Sequence, residues 1–234
     1  MSFARTLFAT LTLMPYLATG QPSPPPPALG GVFAVGYIET RAAAADAGRA
    51  ALEAYRDALR QQAGCLAVEL FAQTGRPGHF AVLETWRNQA AFDARDAAAK
   101  RQLMDALQPI RTSDYDERPY KPLTLAADKG AGGGRAQGVF VISHVDVAPN
   151  SETPALLQKL ADASRQEPGN LRFDVTQHTQ RANHFTVVEH WQSQAALDTH
   201  VAAAHTRQYR DALQPLTGSP LDERAYTPID PRVK

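Results

Sequence analysis

The chain has 234 residues, and its 24 Lys and Arg offset its 24 Asp and Glu to a formal net charge of zero. Without a long basic run, that balance argues against nucleic acid and anionic membrane surfaces as partners. Composition is globular, and with Cys65 as the single cysteine no intrachain disulfide can brace the fold, which must rest on packing.

In chain order, residues 1–20 read as a cleaved secretory signal. Arg5 gives a positive start, residues 7–17 (LFATLTLMPYL) are apolar but too short to span a bilayer comfortably, and Ala18-Thr19-Gly20 supplies small residues for cleavage. This predicts a periplasmic or secreted protein with no membrane attachment after cleavage. Residues 21–30 (QPSPPPPALG) form an extended, proline-rich spacer. The pattern then predicts a strand over 32–39 and a helix over 45–62, with Leu52, Tyr55 and Leu59 at helical spacing and Gly64 as its stop. Strands over 66–73 and 79–86 flank the turn Thr74-Gly75-Arg76-Pro77-Gly78, a hairpin signal. A second helix over 89–107 ends before Pro109, and a last strand over 114–121 is expected at a sheet edge because of Pro119. Residues 124–137 are a glycine-rich tether without the strand–loop–helix context of a nucleotide loop. The same order then returns: a strand over 139–147, a helix over 153–166, a hairpin over 171–177 and 184–191, a helix capped by Ser193 and running to Leu213, and a strand over 221–227.

The return is literal. HFAVLETWRNQAAFD from His79 reappears as HFTVVEHWQSQAALD from His184, and Gly31-Val32-Phe33, Gly64, Gln108-Pro109 and Asp116-Glu117-Arg118 each recur about 105 to 107 residues later. That offset is domain-sized, so residues 31–123 and 138–229 are two copies of one domain. The order β-α-β-β-α-β is ferredoxin-like and of the α+β class, with both helices on one face of an antiparallel sheet. The open face of each sheet needs cover, and a tethered second copy supplies it at high effective concentration. The expected architecture is two tandem units forming an intrachain pseudo-dimeric α+β barrel with the helices outside, which requires no second chain.

Each copy serves as a control for the other. Along 184–191, Phe185, Val187, Glu189 and Trp191 share a face, and copy one keeps that set as Phe80, Val82, Glu84 and Trp86. Tryptophan there suits a core, and the glutamate among apolar neighbours needs a partner. The second helix diverges: His200 and His205 stand where copy one has Arg95 and Lys100. On one continuous helix they lie about 140° apart, on opposite flanks of a stripe through Leu197 and Val201, which does not suit a shared metal ion. They either face a cleft or stay solvated. His144 on the first strand of copy two, where copy one has Tyr37, could join His200 in that cleft or be a hydrogen-bonded strand residue. Two near-neutral bases in one cleft suit deprotonation of a phenol or hydroquinone.

The frame Asn183-His184-Phe185-x-Val187-x-Glu189-x-Trp191, then Ala195-Ala196-Leu197 and His200-x4-His205, resembles the antibiotic biosynthesis monooxygenase family and the quinol monooxygenases within it. The resemblance implies a dimeric α+β barrel with a pocket between sheet and helices in each unit. It also implies oxygenation of a small phenolic or quinol aromatic with molecular oxygen as co-substrate and no metal or flavin. On this reading His144 or His200 is the base, Trp191 and Phe173 are the apolar wall, and Asn183 and Arg172 orient polar groups, with His205 and Glu189 also at the substrate. Copy one departs from the pattern at Gly78, Arg95 and Lys100, so it serves as a structural partner. Two further readings stay open: a non-catalytic module binding a flat aromatic ligand, and haem handling.

Overall fold

A computed structural model describes residues 31–129 and 138–229. The expected signal, the spacer and the glycine-rich part of the tether lie outside the described residues. The first half runs β1 (Val32–Glu39), α1 (Ala45–Arg60), β2 (Cys65–Gln73), β3 (His79–Trp86), α2 (Gln89–Asp93), α3 (Ala97–Leu107) and β4 (Asp116–Thr124). The second runs β5 (Val139–Asp146), α4 (Thr153–Ser164), β6 (Asn170–His178), β7 (His184–Trp191), α5 (Gln194–Ala202), α6 (Ala204–Leu213) and β8 (Asp222–Pro228). Gly64 and Gly169 follow α1 and α4 at φ of +85° and +84°; a Cβ there would meet the Cβ of Ala91 or Ala196 at 2.5 or 2.7 Å. Only glycine takes that backbone conformation this close to a neighbouring helix.

All eight strands form one closed antiparallel barrel in the order β1-β3-β2-β8-β5-β7-β6-β4. The halves join where β2 pairs with β8 and β4 pairs with β6. β4 is therefore not an edge, contrary to the expectation from Pro119. The Pro119 carbonyl accepts from Thr179 N at 3.1 Å, so its missing N–H faces β6 just before that ladder begins at Tyr120↔His178. Pro122 sits at the register shift of the same ladder. Proline at a ladder end or a bulge forfeits little pairing.

Period-two alternation separates three cores. Phe33, Val35, Leu83, Tyr120, Phe140, Ile142, Val188 and Tyr226 fill the barrel interior, where both halves meet. Outside it, Trp86, Val82 and Phe80 pack under α1 and α3, and Trp191, Val187 and Phe185 pack under α4 and α6. The Phe-Val-Glu-Trp face is thus the helix face in both copies, and both tryptophans are fully buried. Among the described residues no helix is long and apolar enough to cross a membrane.

The second helix of each copy is broken rather than continuous. In copy one Asp96 accepts from Ala98 N at 2.7 Å, and this side-chain cap starts α3 afresh. In copy two Ala203 turns extended (φ −65°, ψ 148°), and the Arg207 guanidinium donates to the Ala202 carbonyl that the break leaves open. The break changes where the two helix histidines point.

Candidate functional site

Between the β5/β7 sheet and helices α4–α6 lies a cavity of about 200 Å³, lined by Val141, Ser143, Val145, Leu160, Val187, Glu189, Leu197, His200, Val201, Thr206, Tyr209, Arg210, Leu221, Glu223 and Ala225. Strand alternation brings Ser143 and Glu189 to this face, and the last turn of α5 brings His200.

Glu189 stands at the base of the cavity wall. Its Oε2 accepts from Trp191 Nε1 at 2.7 Å and lies 3.8 Å from His200 Nε2. Burial pushes the Glu189 carboxyl up to about 7, against the Trp191 hydrogen bond, with the Glu223 charge adding to the rise. His200 stacks on Trp191 with ring centres 4.6 Å apart, and its Nδ1 is 2.6 Å from Glu167 Oε1. A carboxylate only accepts, so Nδ1 carries the proton and the Nε2 lone pair faces Glu189. Burial pulls this imidazole below its ordinary value, opposed by Glu167. A gap of 3.8 Å is too long for a hydrogen bond, yet a ligand oxygen roughly 2.8 Å from both groups fits between them.

His205 Nε2 meets the same Glu167 oxygen at 2.8 Å. The break at Ala203 corrects the 140° separation expected for one continuous helix, because both imidazoles converge on Glu167. The ligand atoms of Glu167, His200 and His205 lie within 4.8 Å of one another, which forms the one such set among the described residues. A metal ion there would have to displace both hydrogen bonds to Glu167 Oε1.

The remaining expected site residues scatter. His144 faces the barrel interior, on the opposite side of the sheet from His200: Nε2 is 2.6 Å from Tyr37 Oη and Nδ1 is 2.9 Å from Thr186 Oγ1. The single cleft holding His144 and His200 is therefore not formed, since β5 alternates and Ser143 takes the cavity side. Burial, followed by the Arg118 charge, pulls His144 down to about 4. Arg172 also faces the barrel interior, pairing with Glu69 of the other half at 2.9 Å and with Asp174 at 2.6 Å, so it ties the halves together rather than orienting a ligand. Asn183 donates to the Val147 carbonyl at 2.7 Å and braces a turn. Trp191 and Phe173 are fully buried behind His200 instead of lining the cavity. Of the expected residues, Glu189 and His200 line it.

Copy one shows what this cavity replaces. Glu84, at the Glu189 position, accepts from Tyr55 Oη at 2.9 Å, Trp86 Nε1 at 2.9 Å and Arg95 Nη1 at 3.0 Å. Arg95 and Lys100 both pair with Glu117, and Lys100 lies 4.1 Å from the centre of the Tyr115 ring. Tyr115 presses on Gly36 so closely that a Cβ there would meet its Oη at 2.4 Å. In copy two Tyr55 becomes Leu160, Arg95 becomes His200, Tyr115 becomes Leu221 and Gly36 becomes Ser143. The first three exchanges remove the side chains that occupy the corresponding space, and the fourth adds a hydroxyl to it. Beyond the break copy two is one residue longer, so Leu103 corresponds to Tyr209. Ser143 and Tyr209 were missed by sequence reasoning, although the exchange of glycine for serine and leucine for tyrosine marked them.

The antibiotic biosynthesis monooxygenase family model matches twice, at residues 31–102 and 141–212, more than half of the chain. No curated protein sequence matches it. Among solved structures, a candidate monooxygenase from Fusobacterium nucleatum superposes with a TM-score of 0.72 at 14% identity, over 87% of this chain and 94% of that one. A candidate monooxygenase from Lactobacillus acidophilus gives 0.65 at 16%, over 85% and 94%. An anthrone oxidase-like protein gives 0.63 at 12%, over 86% and 92%. At these identities the likeness is one of fold.

Proposed function

Starting from the fact that this chain belongs to the antibiotic biosynthesis monooxygenase family, we propose that it is a cofactor-free monooxygenase acting on a small phenolic or quinol aromatic in the cavity of its second half. The observation that carries the reading is Glu189 facing His200 across 3.8 Å in the wall of a mostly apolar cavity, at positions that copy one fills with a charge-paired plug. Glu189, poised near neutrality, takes the phenolic proton and can pass it on to the free Nε2 of His200. The phenolate gives one electron to molecular oxygen, the radical and superoxide recombine at ring carbon, and the hydroperoxide loses water to leave a carbonyl. The protein contributes binding, proton removal and exclusion of bulk water.

A cavity of about 200 Å³ favours a small arene over a porphyrin, since pockets for drug-sized ligands start near about 300 Å³. Export, read from residues 1–20 alone, belongs to the same proposal and puts the substrate outside the cytoplasm; a working unit of one chain, its halves paired with each other, belongs to it as well. The test is oxygen consumption over a panel of hydroquinones and anthrones by wild type, Glu189→Gln and His200→Ala. The expected result is uptake with one class of panel member, reduced about 100-fold or more in Glu189→Gln. Absence of uptake on every member, with binding retained, would convert the assignment to a binding module.

A further inference from the structure

Two hydroxyls in the cavity wall have no role in the chemistry above. Ser143 Oγ and Tyr209 Oη are buried and find no hydrogen-bond partner among the described residues. Buried hydroxyls are nearly always satisfied, so a polar wall group of this kind awaits a ligand or solvent partner. Both occur only in the half that has the cavity, because copy one holds Gly36 and Leu103 at these positions. Burial raises the Tyr209 phenol well above its ordinary value, so it stays protonated and can donate.

Their placement along the sheet sets a length. In the β5/β7 ladder Val141 is opposite Glu189 and Ser143 is opposite Val187, so Ser143 lies two residues along from the level of Glu189. Two residues of strand span roughly 7 Å, comparable to the separation of para oxygens across one aromatic ring. Volume sets the other limit. A benzene molecule occupies an apolar cavity of about 150 Å³, so about 200 Å³ takes one substituted ring or two fused rings.

Resting on the reading of this cavity as a substrate site, we propose that its ligand is a para-dioxygenated arene of one or two rings, with one oxygen between Glu189 and His200 and the other held by the Ser143 and Tyr209 hydroxyls. These two side chains are specificity-determining and orient the ring; they do not take part in proton or electron transfer. Losing either hydroxyl should cost the dioxygenated ligand alone, because an analogue with a methyl group in place of the second oxygen never used it.

The experiment is anaerobic calorimetric titration with hydroquinone, p-cresol and p-xylene, which match in shape and differ in oxygen count. Wild type should prefer hydroquinone over p-cresol by about tenfold. In Ser143→Ala with Tyr209→Phe that preference should fall to about one, with p-xylene affinity unchanged. Ser143→Gly with Tyr209→Leu, the residues of copy one, repeats the test if the first pair folds poorly. A hydroquinone preference that survives both doubly substituted proteins overturns the inference, as does failure of wild type to bind any of the three. Oxygen uptake in air separates the two proposals. Binding with the expected selectivity but no uptake upholds this inference and sinks the oxygenase, whereas uptake with unaltered selectivity does the reverse.

Discussion

Replacing Glu189 by glutamine isolates the group on which the proposed chemistry turns, and its effect on stability can be worked out independently of any substrate. The carboxyl is buried and pushed up to about 7 from an ordinary 4.5, mostly by loss of hydration. In the unfolded chain it ionises near the ordinary value. Between roughly pH 4.5 and 7 the native state therefore holds a proton that the unfolded state has lost, and stability falls as pH rises across that window. At 1.36 kcal/mol per pH unit the penalty above pH 7 is roughly 3 kcal/mol. Glutamine keeps an oxygen for Trp191 Nε1 and carries no ionisable group, so it removes the charge while keeping that hydrogen bond. Glu189→Gln should match wild type at pH 5 and exceed it by about 2 to 3 kcal/mol at pH 8.5. Urea midpoints measured at the two pH values check this. Parallel pH–stability profiles for the two proteins would show that the carboxyl is not held in a charge-averse site, and the proposed base would lose its physical ground. On the kinetic side, kcat/KM of wild type should rise through about pH 7 as the carboxylate forms, a limb that Glu189→Gln should lack.

Three further outcomes follow from the same geometry. His144, pulled down to about 4 by burial in the barrel, is neutral in the fold and charged when unfolded below its ordinary 6.5, so stability should be complete above pH 6.5 and decline by up to roughly 3 kcal/mol as pH falls toward 4. His144→Gln should flatten that decline in pH-dependent denaturant titrations. Arg172→Ala should destabilise the barrel by about 3 to 5 kcal/mol, because it removes the buried guanidinium that balances the charges of Glu69 and Asp174; a thermal melt reads it, and a loss below 1 kcal/mol would contradict the burial of that triad. Rebuilding the copy-one plug in copy two with Leu160→Tyr, His200→Arg and Leu221→Tyr on a Ser143→Gly background should abolish arene binding while leaving the far-ultraviolet circular dichroism unchanged.

Much of the architecture was legible because it rests on short-range rules. Alternation in HFTVVEHW assigned the helix-facing side of β7, Gly64 and Gly169 marked the helix stops, and the literal repeat required two mutually covering sheets. What escaped depended on small departures from those rules. Pro119 signals an edge in isolation, yet barrel closure puts its missing N–H at the end of a ladder. The helix expected over 89–107 carried its own break signal, since Asp96 is a capping residue inside the apolar period; copy two breaks at Ala203 without one, and no sequence rule announces it. That break decides the site. On one continuous helix His200 and His205 diverge, whereas across the break they share Glu167. His144 was misplaced for a different reason: an exchange of tyrosine for histidine between the copies looked like gained chemistry, but Tyr37 and His144 are partners across the pseudo-two-fold inside the barrel.

The duplication changes what each half has to satisfy. In a pair of identical subunits, any residue that opens a cavity opens it twice, and any carboxylate buried without a cation is buried twice. Here the cost is borne once. Glu84 receives three hydrogen bonds, one of them from the Arg95 guanidinium, and its surroundings are filled by tyrosines, so the carboxylate of the first half is fully paired. Glu189 keeps one of those donors, the indole of Trp191, and faces a neutral imidazole at 3.8 Å instead of a guanidinium. The strain of that arrangement is electrostatic and local, and the closed barrel shared with the satisfied half holds it in place. The exchange from Arg95 to His200 removes the counter-charge, the loss of the Tyr55 and Tyr115 side chains opens the space beside it, and burial then raises the carboxyl left there toward neutrality.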